Sequence, residues 1–85
     1  MRMDLVELAK ALDLIGTPAG VLSLGGQAEN SWCIDRAADG TWQVFWMERG
    51  SKIDLVSLRT ESDACFQLLG RLAHTQIASR AIGLV

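Results

Sequence analysis

The chain has little of what chemistry usually needs. Its 85 residues include one histidine, His74, and two cysteines, Cys33 and Cys65, with no CxxC spacing or histidine cluster beside them. That inventory gives zinc and thiol redox chemistry no basis, and the cysteines are expected as reduced, buried small hydrophobes. No serine or cysteine nucleophile signature surrounds His74, which is expected late in a helix as a surface or packing residue. The ten acidic residues stand singly at turns and helix starts, whereas carboxylate catalysis needs two converging in a pocket. Gly25-Gly26 is followed by no Lys-Ser or Lys-Thr, so it is not a phosphate loop. An enzyme is therefore not expected, and neither is a metal or a cofactor.

A basic excess is also missing. The formal charge is -2, and a nucleic-acid binder would normally present a cationic face to neutralise phosphates. The charge fits a neutral or basic partner. No run approaches the eighteen or so apolar residues of a membrane span, and Met1-Arg2-Met3-Asp4 leads into an amphipathic segment, unlike a secretory leader. The expected address is the cytoplasm. No repeat, low-complexity tract or linker interrupts the chain, so residues 1–85 are expected as one domain, small enough that a single core is all it can build.

What is present is patterned. Asp4 can cap a helix, with Glu7 at the reciprocal position; Leu5, Leu8, Ala9, Leu12 and Ile15 then form one apolar stripe, and Gly16-Thr17-Pro18 ends it. A short apolar strand over 21–24 is closed by Gly25-Gly26 and a polar loop over 27–30. Strands are expected over 31–36 and 41–48, joined by Ala37-Ala38-Asp39-Gly40, whose Asp-Gly step is a strong hairpin signal. Gly50 supplies the positive φ for a second hairpin turn, and a strand over 52–59 follows. Thr60 can cap a last helix with Glu61 and Asp63 in its first turn. Ala64, Cys65, Leu68, Leu69 and Leu72 make its stripe, and it should run to about Arg80. The expected fold is α+β: a helix, a three- to four-stranded antiparallel β-meander and a helix, with both helices on one face of the sheet.

The period of two sorts the aromatic strand Trp42-Gln43-Val44-Phe45-Trp46-Met47 into two faces. Trp42, Val44 and Trp46 are assigned to the helix side with Trp32 and Ile34; alternation alone leaves the reverse orientation open. Phe45 and Met47 would then stand exposed on an open face beside Gln43, Asp35 and Lys52, which is the composition of a binding patch. The competing reading has them covering the sheet, packed under a long loop or against a second copy. The tryptophans can equally be the main mass of the core, and Glu48 and Arg49 either a solvated turn or contacts for a partner at the sheet rim.

Certain segments carry a resemblance. Ile15-Gly16-Thr17-Pro18, Leu22-Ser23-Leu24-Gly25-Gly26, Trp32-Cys33-Ile34-Asp35, the run from Asp39-Gly40-Thr41-Trp42 through Glu48-Arg49-Gly50, and Thr60-Glu61-Ser62-Asp63-Ala64-Cys65 follow one another at suggestive spacings. Together they resemble a family of small bacterial immunity proteins encoded beside secreted polymorphic toxins. The family pattern has a Gly-x-Pro turn, a Tyr-Ser-Leu-x-Gly-Gly segment, a Tyr-Cys-Leu-Glu strand, a Trp-x-Val-Tyr-Tyr-Ser-Glu-Arg-Gly strand and turn, and a Thr-Glu-x-x-Ala-Cys helix start. The likeness spans nearly the whole chain, and its most specific part is the tryptophan strand ending in Glu48-Arg49-Gly50. The chain departs from it at Leu22, Trp32, Phe45 and Trp46, where the family has tyrosines, and at Met47, where a serine is usual.

The resemblance implies an immunity protein that neutralises a cognate toxin by occluding its active site. NAD-degrading toxins and nucleases are the two classes it brings with it, and the departures leave that choice open. The residues expected to bind the partner are Asp35, Phe45, Met47, Glu48 and Arg49. Two other classes compete. A self-associating structural or regulatory module would form a homodimer through the open sheet face, and a ligand-binding protein or small enzyme would need a pocket between helix and sheet.

Overall fold

The computed structural model describes residues 2–78. Helix α1 spans Leu5–Leu14 and a 3-10 turn Ala19–Val21; strands β1 (Leu22–Leu24), β2 (Ser31–Arg36), β3 (Trp42–Glu48) and β4 (Ser51–Leu58) follow, and α2 spans Glu61–Ala78. The expected end of α2 near Arg80, and the character of residues 81–85, lie outside the described residues.

Local chemistry accounts for the helix boundaries. Asp4 has extended backbone angles and its carboxylate accepts the Glu7 N–H at 2.8 Å, which satisfies one of the free donors at the start of α1. At the other end Gly16 takes φ +82, its N–H donates to the Asp13 carbonyl, and the Thr17 N–H reaches back to Leu12. This paired closure lets glycine stop a helix while satisfying its last carbonyls, and Pro18 prevents resumption. Thr60 caps α2 by accepting the Asp63 N–H at 3.0 Å. The first turn of α2 also serves α1: Glu61 accepts the Leu5 N–H and Ser62 the Met3 N–H.

The sheet order is β1-β2-β3-β4, and it is mixed. The β2–β3 and β3–β4 pairs are antiparallel as expected, but β1 runs parallel to β2, with Leu22 opposite Trp32 and Leu24 opposite Ile34. This corrects the all-antiparallel meander. A parallel connection normally needs a dozen or more residues. Here six suffice, because β1 has only three residues and the chain has to retrace roughly 10 Å. Gly25, at φ +96, makes the reversal, and its N–H donates to the Ile34 carbonyl at 2.7 Å.

The main core joins Leu8 and Leu12 of α1 to Ala64, Cys65, Leu68 and Leu72 of α2 and to Ile34 and Val44 of the sheet. Trp32 and Trp42 pack against it partly buried, and the rings of Trp32 and Trp46 meet edge to face at 5.6 Å. Ala9, expected on the buried stripe of α1, is exposed. The tryptophans thus line the core's margin, and the aliphatic side chains fill its centre.

Candidate interaction surface

The other face of β2 and β3 holds a second, smaller cluster: Cys33, Phe45 and Met47. Register puts Cys33 opposite Phe45 and Ser31 opposite Met47, so the expected division of β3 into two faces holds. The expected exposure does not. Phe45 is fully buried and Met47 only 7% exposed, because the connection over 25–30 lies against this face. The Cys33 thiol donates to the Ala28 carbonyl, the Asn30 N–H to the Met47 carbonyl, and Gln27 to Asp35. Lys52 extends over the same face, with Nζ 4.9 Å from the Phe45 ring centroid and 2.8 Å from Gln43 Oε1. The retracing forced by a parallel β1 is therefore also what covers Phe45 and Met47. Of the two readings of Phe45 and Met47, the one that packs them under a long loop therefore matches the structure, with the 25–30 connection as the loop.

At the rim, Arg49 and Gly50 form a two-residue turn with Glu48 opposite Ser51. Both take left-handed angles, φ +51 for Arg49 and +74 for Gly50, the geometry that matches strand twist in a tight hairpin. Gly50 is comfortable there. An arginine carries a Cβ penalty of order 1 kcal/mol or more, and strain of this kind tends to collect at functional sites. Support comes from outside the hairpin: Glu29 Oε1 accepts the Gly50 N–H at 2.7 Å. Glu48 Oε1 takes the Trp46 indole N–H at 3.3 Å, and both Glu48 and Arg49 are exposed.

Asp35 does not join them. It sits opposite Gln43, five residues along β3 from Glu48 and so roughly 17 Å away at strand spacing. Its carboxylate is engaged by Gln27 and by the Arg36 N–H. Of the five expected contact residues, two are buried, one is distant and half-exposed, and Glu48 and Arg49 alone share an exposed site. Lys52 lies beside Phe45 and Gln43 as the strand alternation predicts, whereas Glu29 carries no motif of its own and only the parallel crossover brings it to the hairpin.

A separate feature lies between β4 and α2. Pairing slips between Val44 and Trp46, leaving Asp54 and Leu55 together opposite Phe45, and Asp54 takes φ +55. Such a bulge turns a backbone group out of the ladder, and the Asp54 carbonyl accepts from Arg71 Nη1 at 3.0 Å. The Arg71 guanidinium also lies over the Trp32 ring at 5.4 Å. Together with Leu55, Val56, His74 and Thr75 these residues line an open cleft of about 500 Å³.

Both cysteines are free and buried. Burial, with the carboxylates of Glu61, Asp4 and Glu7 nearby, pushes the Cys65 pKa up to about 11, so it stays protonated. Among the described residues no group of three His, Cys, Asp or Glu side chains is placed to hold a metal ion, and no helix is long and apolar enough to cross a membrane. Comparison with family models, with curated proteins and with solved structures gives no match.

Proposed function

We propose that this chain is an immunity-type inhibitor that binds a secreted bacterial toxin and blocks its active site, acting in the cytoplasm of the producing cell and without catalysis of its own. The observation that carries the reading is Arg49: a non-glycine residue at φ +51, exposed at a hairpin tip and buttressed by Glu29. A tip serving only to reverse the chain would favour Asn or Gly at that position. The backbone there is fixed, by the turn geometry and by the Glu29 hydrogen bond to Gly50, so a binding partner has only the arginine side chain left to order. Resemblance of the Glu48-Arg49-Gly50 segment to the immunity family supports the same reading.

In this account Glu48 and Arg49 touch the toxin directly, and Phe45 and Met47 act from beneath by fixing the strand that carries them. The Glu48-Arg49 rim is exposed and is the part of the molecule this reading offers to a large partner. The toxin class, NAD-degrading or nuclease, is a matter for the partner's own chemistry.

The test is co-expression of the chain with any toxin-like domain found encoded beside its gene, reading cell survival and the affinity of the purified pair. The wild-type chain should protect and form a one-to-one complex. Arg49→Asn, which tolerates the same backbone angle, should weaken the complex at least tenfold while the fold is kept. Unchanged affinity in that variant would remove Arg49 from the contact and the central support from the reading.

A further inference from the structure

Behind the hairpin tip, on the helix side of the sheet, lies an apolar pocket that the rim contacts do not use. Trp46 and Glu48 share a face of β3, roughly 7 Å apart at strand spacing, and the Trp46 indole N–H donates to Glu48 Oε1 at 3.3 Å. The Trp46 ring meets that of Trp32 edge to face. Together the two rings wall a pocket of about 320 Å³, completed by Pro18, Val21, Leu72 and two threonines. Both tryptophans stay half-buried there. Ile53, opposite Trp46 in the register and 38% exposed, continues the apolar surface onto β4.

Composition and position identify the occupant. No charged side chain among the described residues lines the pocket, so a carboxylate or an ammonium entering it would lose its water and gain no partner. Indole edges and a prolyl ring favour an aromatic ring instead, because edge-to-face contact adds to the gain from buried area. The volume stands at the lower end for ligand sites, which suits a single side chain better than a cofactor. Position ties the pocket to the rim: the hydrogen bond to Glu48 fixes the Trp46 ring directly behind the exposed Glu48-Arg49 pair. An apolar pocket lined by tryptophan and bordered by a polar rim is the anatomy of a protein interface, where a few side chains seated in such pockets carry most of the binding energy.

We propose that this pocket receives an aromatic side chain of the protein partner that meets Glu48 and Arg49, so that the Trp32-Trp46 wall is the apolar centre of their interface. The proposal takes its partner from the toxin-inhibitor reading, but its test needs no toxin. The experiment is an NMR titration of the isotope-labelled full chain with p-cresol and with the capped tripeptides Gly-Tyr-Gly, Gly-Leu-Gly and Gly-Glu-Gly. Both p-cresol and the tyrosine peptide should saturably shift the amides of residues 18–21 and 72–75 and the indole N–H signals of Trp32 and Trp46. The tyrosine peptide should bind at least threefold tighter than the leucine peptide, and the glutamate peptide should not saturate. Val21→Lys, which sets an ammonium in the wall, should weaken the tyrosine peptide at least fivefold. Nuclear Overhauser contacts from the tyrosyl ring to Trp46 and Val21 in the wild-type chain locate the ring even if that variant fails to fold. No saturable response, or equal binding of all three peptides, would overturn the proposal. So would binding of p-cresol without the tyrosine peptide, which would make a small free molecule the occupant. Concentration-dependent shifts of the same signals without any probe would assign the pocket to a second copy, and contacts from residues 79–85 to Trp46 in the free chain would assign it to the chain's own end. Each of these results leaves the role of Arg49 standing, whereas failure of the toxin-inhibitor reading shows as unchanged toxin affinity in Arg49→Asn and leaves the titration as it is.

Discussion

Two turns hold the ends of β3, and they are built in different ways. The turn over residues 37–41 is made from its own residues. Asp39 Oδ1 accepts both the N–H and the hydroxyl of Thr41, at 2.9 and 2.6 Å, the Ala37 N–H meets the Thr41 carbonyl, and the left-handed position falls on Gly40. The turn at Arg49 and Gly50 puts an arginine in a left-handed conformation and takes its support from Glu29, 21 residues earlier in the chain. The first turn needs only local chemistry to close a hairpin. The second depends on the crossover after β1, so its shape reports the tertiary fold, and the strain at Arg49 has to be explained by something other than chain reversal.

Breaking the strand between the turns should have the largest effect. Phe45→Ala removes a fully buried ring and should cost about 3–5 kcal/mol in denaturant unfolding; a loss under 1 kcal/mol would mean that Phe45 is not a core residue. Gly50→Ala forces a Cβ into φ +74 and should cost about 1–2 kcal/mol, read as a drop in thermal midpoint. Glu29→Ala removes the outside support and should cost about 1 kcal/mol. Hydrogen exchange should then speed up at Gly50 while the turn over 37–41 keeps its protection.

The smallest effect belongs to Asp39. Hydrogen bonds from the Thr41 hydroxyl and N–H hold its carboxyl below the ordinary value of 3.8. A group with a depressed folded pKa adds stability above its unfolded pKa and loses it as pH falls through the folded value. Wild-type stability should thus decline as pH drops below about 3.8 by slightly more than that of Asp39→Asn. Parallel pH profiles for the two proteins would show that the local network at this turn carries no charge-dependent stability.

The same contrast shows what a sequence can disclose. Asp4, Gly16, Thr60 and the Asp39-Gly40 step act within a few residues of where they stand, and each was legible as a cap, a stop or a turn. The alternation in β3 also sorted its faces correctly, since side chains on a strand have no other period to follow. The direction of β1 was not legible. Gly25-Gly26 and the polar residues after it look the same in sequence whether the chain turns back as a hairpin or retraces as a crossover, and the exposure of Phe45 and Met47 hung on that choice. The bulge at Asp54 escaped for a similar reason: an aspartate at positive φ has no local signature, and only the slip between Val44 and Trp46, with Arg71 waiting for the freed carbonyl, gives it away. Arg49 is the intermediate case, visible in the sequence as a rim residue but intelligible only once its backbone angle is known.

The most direct test of the account is the thermal stability of Arg49→Asn against the wild-type chain, measured alongside toxin binding. Asn tolerates the left-handed region better than Arg, so the variant should be more stable by about 0.5–1 kcal/mol while binding the toxin more weakly. A variant that is less stable than wild type would show that the arginine is there for the fold, contradicting the claim that its strain is kept for a partner.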